Sequence, residues 1–141
     1  MFKNYKRHIM IATENLFFKR ENRQNKKKRY VVVVDQRDDN CLAVCRISSY
    51  SKEKSKSHHY YRFVILNTRN TSGVLNKQSL VERKIWTRVK KENDYKIMTP
   101  EVVEDTGYKI SLFEYLIIMI QTMFNKEQRR ILREWKRHYK K

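Results

Sequence analysis

The chain is poor in glycine, proline and cysteine, with 2, 1 and 2 of them in 141 residues. Gly73 and Gly107 stand far apart, so no GxxxxGK[ST] stretch, the loop that wraps nucleotide phosphates, occurs. So few turn formers leave ordered elements dominant. Cys41 and Cys45 stand four apart in a strand-like run. That spacing puts them on one side of a strand, about 13 Å apart, beyond disulfide reach. They read as small packing residues in a reducing compartment. The four scattered histidines add no zinc spacing. HExxH and GxSxG are missing, and the adjacent acids Asp38 and Asp39 fall in a turn-like stretch. No metal and no cofactor is expected. Long apolar runs are also missing. The longest, YLIIMI at 115–120, is far short of a membrane span, and the N-terminus lacks the apolar core of a signal peptide. The expectation is a cytoplasmic protein with no membrane partner.

What is abundant is positive charge. Thirty-three Lys and Arg face fifteen acids, a net +18. Such an imbalance predicts a polyanionic partner, nucleic acid ahead of an anionic membrane surface. Nine Tyr, six Phe and two Trp in a 40% hydrophobic chain argue for a packed core. The length suits one domain, 1–141.

The pattern along the chain predicts α+β. Residues 1–20 space their apolar side chains in a loosely helical way, and 21–29 are a basic loop. VVVV at 31–34 is a buried strand, and 41–47 answers it across the polar turn 35–40 as a hairpin. A polar loop, 48–59, leads to a strand at 60–66. Further strand character follows at 74–89, bent near 76–78, and a short edge strand at 90–98. Thr99, Pro100 and Glu101 look like a helix start closed by Gly107. Ser111 and Glu114 form a capping box ahead of LFEYLIIMIQTMF. That helix is apolar nearly all round, so it is buried in the domain or in a dimer. After Asn125 a last helix sets Ile131, Leu132, Trp135, His138 and Tyr139 on one face and basic residues on the other. About five strands would curl into a small antiparallel barrel (core 29–98) with an N-terminal helix and a C-terminal helical part, 99–141.

RNA can be cut without metal because its 2′-OH attacks the neighbouring phosphate. The protein must clamp that phosphate, stabilise the dianionic transition state and move protons. Arg29 begins one strand of the hairpin; Ser48 and Ser49 end the other. In an antiparallel pair these positions meet at one end of the sheet. Lys52, Lys54 and Lys56 follow in the loop.

The run from Arg29 through VVVV, then Val44-Cys-Arg-Ile-Ser-Ser49, then Gly73-Val-Leu-Asn-Lys-Gln-Ser79-Leu-Val-Glu82 resembles the MazF/Kid/PemK family of toxin endoribonucleases. SSYSKEKSK and the basic tail are similar to its type III branch, ToxN and AbiQ. The resemblance covers 29–89. It implies an SH3-like barrel, catalytic roles for Arg29 and Ser48 with Ser49 beside them, and an antitoxin that is a protein or a structured RNA. A homodimer or a toxin–antitoxin hetero-oligomer follows from the same likeness. The sequence departs from the family at Tyr30, where proline is usual, and at Ser48, where Thr is commoner. The acidic position before the last strand has no clean match, Glu82 being the nearest.

Lys28, Lys52, Lys54, Lys56, Tyr50, His58, Arg129 and Arg133 are candidates for holding single-stranded RNA. Each has a plainer reading as well. Strand-end serines are commonly turn formers, basic runs are commonly solvated, and a strand-start histidine is more often structural. A non-catalytic barrel that binds RNA or DNA, such as a phage-encoded regulator or inhibitor, shares every compositional feature.

Overall fold

Valines 31–34 are all buried, and they are buried on two sides. Side chains alternate along a strand. Val32 and Val34 therefore enter one apolar cluster, and Val31 and Val33 another. The computed structural model describes residues 4–13, 28–38, 41–87 and 102–138. Among them, six strands form one antiparallel open sheet: β1 (His8–Thr13), β2 (Lys28–Asp38), β3 (Cys41–Ser49), β4 (Tyr60–Leu66), β5 (Ser79–Thr87) and β6 (Val102–Lys109). Their order is β4-β5-β3-β2-β1-β6. The helices are α1 (Lys52–Lys56), α2 (Leu112–Met123) and α3 (Lys126–His138). The fold is thus α+β, with the expected β2–β3 hairpin at the sheet centre.

Three expectations change. The N-terminal segment is a strand where it is described, not a helix. β1 pairs with β2 on one side and β6 on the other. Ile9 joins one cluster and Met10 and Ala12 the other, a period of two hidden in a loosely helical spacing. Second, Val102–Lys109 is a strand rather than the tail of a short helix. Gly107, at φ +79°, sits in a bulge of the β1–β6 pairing instead of ending a helix. The helix start at 99–101 and the edge strand at 90–98 lie outside the described residues. The described residues hold six strands, where about five were expected. Third, the loop 48–59 contains α1, whose first turn is closed by the Ser51 hydroxyl accepting from the Lys54 N–H at 3.1 Å.

The C-terminal helices follow their sequence signals. Ser111 and Glu114 make both arms of the capping box. Asn125 Oδ1 accepts from the Gln128 N–H at 3.1 Å and starts α3. Ile118, Leu132 and Trp135 pack with Val32, Val34, Cys45 and Ile47. Burying each such aliphatic side chain stabilises the fold by about 1.5–3 kcal/mol. Gln128 Oε1 accepts from the Ile85 N–H at 2.7 Å, tying α3 to β5. α2 and α3 thus cover one face of β2 and β3. No helix of the described residues is long and apolar enough to cross a membrane.

Candidate functional site

β3 assigns its side chains by strict alternation. Ala43, Cys45 and Ile47 point to the helix-covered side, and Leu42 and Val44 to the other. Arg46 and Ser48 continue the second series. On β2, Arg29 is in step with Val31 and Val33, on that same face. Val31 pairs with Arg46, so two residues on the antiparallel register sets Arg29 across from Ser48. The Arg29 Nη1 donates to Ser48 Oγ at 3.5 Å.

The third strand supplies the acid. The β3–β5 pairing shifts register between Cys45 and Ile47. The extra length of β5 falls at Glu82–Lys84, opposite Arg46. This bulge re-aims Glu82 toward β3. Ser48 Oγ donates to Glu82 Oε2 at 2.6 Å, and Arg46 Nε donates to the same oxygen at 3.1 Å. Four residues from three strands thus form one chain: Arg29, Ser48, Glu82, Arg46. Ser48 is 7% exposed, while Arg46 and Glu82 keep 15% and 18% of their side-chain surface open. Two guanidinium groups against one carboxylate leave the cluster locally cationic, as an anion site requires.

The sequence candidates divide around this cluster. Arg29 and Ser48 come together. Ser49 is exposed, and its carbonyl accepts from Lys54 Nζ at 3.2 Å. Tyr50 is exposed, its N–H bonded to the Gln78 carbonyl at 2.8 Å. Lys52 and Lys56 are exposed on α1. His58 is exposed and lies against His59, ring centroids 4.1 Å apart. Lys28 opens β2. Arg129 and Arg133 are exposed on α3, which packs on the sheet face opposite the cluster. Arg129 Nη1 there donates to the Met123 carbonyl at 3.1 Å.

Arg46 went unnoticed in the sequence. Its signal was a lone charge in the apolar run CLAVCRI, two residues before Ser48 and so on the same face. Among the described residues no three His, Cys, Asp or Glu side chains gather where a metal ion could be held. The chain matches no family model, no curated protein and no solved structure.

Proposed function

We propose that the protein is an endoribonuclease that cuts single-stranded RNA through the RNA's own 2′-OH, needing no metal. The observation that carries this reading is the shared Glu82 oxygen, bonded to both Ser48 and Arg46 with Arg29 on the far side of the serine. A phosphate entering beside Arg29 meets a guanidinium, a hydroxyl and an acid in sequence. In the step proposed, the 2′-oxygen bonds to phosphorus as its proton passes to Ser48 Oγ and the serine's own proton passes to Glu82. Arg29 and Arg46 offset the charge of the five-coordinate phosphorus. The bond to the 5′-oxygen then breaks, that oxygen takes a proton from water, and the proton held by Glu82 returns to the hydroxide so formed. The products are a 2′,3′-cyclic phosphate and a 5′-OH. Lys52, Lys54 and Lys56 on α1, with Tyr50, would hold the strand.

This reading extends to the rest of the resemblance: an SH3-like barrel as the relative of this six-stranded sheet, a toxin's role in the cytoplasm, and an antitoxin that hides the cluster. A second reading has its own observation. Ser48 is nearly buried, and the Arg46–Glu82 pair also ties β3 to β5 at a bulge. On that reading the cluster is structural and the basic surface only binds nucleic acid.

The test is incubation of the protein, and of Arg29→Ala, with mixed single-stranded RNA in EDTA, followed by analysis of the fragment ends. Arginine-dependent fragments with cyclic phosphate and 5′-OH ends are expected. RNA that stays intact yet shifts on a gel would establish the binding reading instead.

A further inference from the structure

α2 is apolar over most of its circumference but buries only one side. Ile118 and Thr122 are buried, and Tyr115 packs beside them with its hydroxyl donating to the Val34 carbonyl at 2.8 Å. The other side faces solvent. Leu112, Phe113, Leu116, Ile120, Met123 and Phe124 are between 49% and 87% exposed. At 100° per residue these six fall within an arc of roughly 120° that contains no charge.

β4 lies alongside α2. Gln121 of α2 holds the backbone of Arg62 at both groups: its Oε1 accepts from the N–H at 3.0 Å and its Nε2 donates to the carbonyl at 2.7 Å. Phe63 follows with φ +65° and is 84% exposed. A left-handed backbone costs a non-glycine residue about 1–2 kcal/mol. That φ falls in the β4 bulge between Tyr60 and Ile65, and the bulge leaves the Phe63 ring outward between the buried Tyr61 and Val64. At roughly 150–250 Å² per buried aromatic, Phe63, Phe113 and Phe124 alone supply about half of the ~800 Å² per partner in a standard interface.

We propose that this stripe is the interface of a two-fold homodimer, with α2 packed antiparallel against α2 of a second copy. A charge-free stripe is self-complementary, as a two-fold contact demands. Antiparallel pairing also opposes the two helix dipoles. The interface lies on the helix side of the sheet, away from Arg29, Arg46 and Ser48, so it stands independently of the proposed chemistry.

The charge makes the test specific. Two copies of a +18 chain repel, and salt screens that repulsion. The dimer should tighten as salt rises, whereas binding of RNA should weaken. Sedimentation equilibrium of the full chain at low and high salt is expected to give twice the 17.4 kDa chain mass, with more dimer at high salt. Ile120→Glu should raise the dissociation constant at least tenfold with unchanged far-UV circular dichroism. Phe113→Glu, at an open position, should do the same and guards against misfolding of the first variant. A wild-type chain that stays monomeric at both salt levels overturns the proposal, as does a dimer indifferent to both substitutions. A monomer that instead pellets with anionic vesicles also overturns it, and assigns the stripe to lipid.

Discussion

β3 carries a chain of hydrogen bonds on each of its faces, and the two chains are opposites. On the helix side, Cys45 Sγ lies 3.9 Å from the Tyr61 hydroxyl, which meets Thr122 Oγ1 at 2.7 Å, which donates to the Ile118 carbonyl at 2.8 Å. Every member is buried and neutral. Burial pushes the Cys45 thiol from 9.0 up to about 12 and raises the Tyr61 hydroxyl as well. Such groups neither gain nor lose protons under ordinary conditions. They stitch α2 to the sheet. One residue along, Arg46 and Ser48 begin a chain of two guanidinium groups, a hydroxyl and a carboxylate, partly open to solvent. Placing charges there costs desolvation that an apolar replacement would avoid. The difference separates a polar link that serves packing from one whose composition suits reaction.

Substitutions on the two faces should therefore separate activity from stability. The largest effect is expected on the charged face. Arg29→Ala should lower RNA cleavage by about 10²–10³-fold, the range for losing one donor to a developing anion, with little change in melting temperature. Initial rates beside a thermal melt check it. Ser48→Ala should slow cleavage by about 10²-fold, and Ser48→Thr, which keeps the hydroxyl, should retain most of the rate. Equal rates for Ser48→Ala and wild type would remove the serine from the mechanism. On the neutral face the order reverses. Tyr61→Phe should cost about 1 kcal/mol of stability, the net worth of a hydrogen bond, and leave cleavage unchanged. Urea unfolding and the same rate assay decide it.

The smallest effect concerns pH. The folded thiol of Cys45 titrates above its unfolded value. Its neutral form therefore favours the fold fully below pH 9.0, and that contribution is lost as pH rises toward about 12. Cys45→Ala should flatten the alkaline decline in urea midpoint relative to wild type. An identical decline in both would mean that the thiol is not held as described.

The hairpin and its meeting point were legible because both rest on local rules. Four β-branched residues, a polar turn and a second apolar run define an antiparallel pair, and that pair puts Arg29 beside Ser48. The rest depended on distance. Glu82 reaches the site through a bulge in β5, and no sequence period reports where a strand takes extra residues. Arg46 was readable by alternation, yet one basic residue among 33 does not stand out. β1 misled because Ile9, Met10 and Ala12 are buried on both faces of the sheet. Two-sided burial erases the polar alternation by which a strand is told from a helix. Gly107 misled similarly, since a positive φ serves a bulge as well as a helix end. The capping box of α2 could be read directly. That α2 buries one side only could not, because both sides are equally apolar.

The most direct measurement is the pair of cleavage rate and melting temperature for Glu82→Gln. The amide keeps the shape and can still accept from Ser48 and Arg46, but it cannot take up a proton at neutral pH. Cleavage is expected to fall by about 10²–10⁴-fold in a protein that melts within a few degrees of wild type. A variant that cuts RNA at the wild-type rate, or that loses its fold and its activity together, would contradict the proposed mechanism and leave the cluster as a tie between β3 and β5.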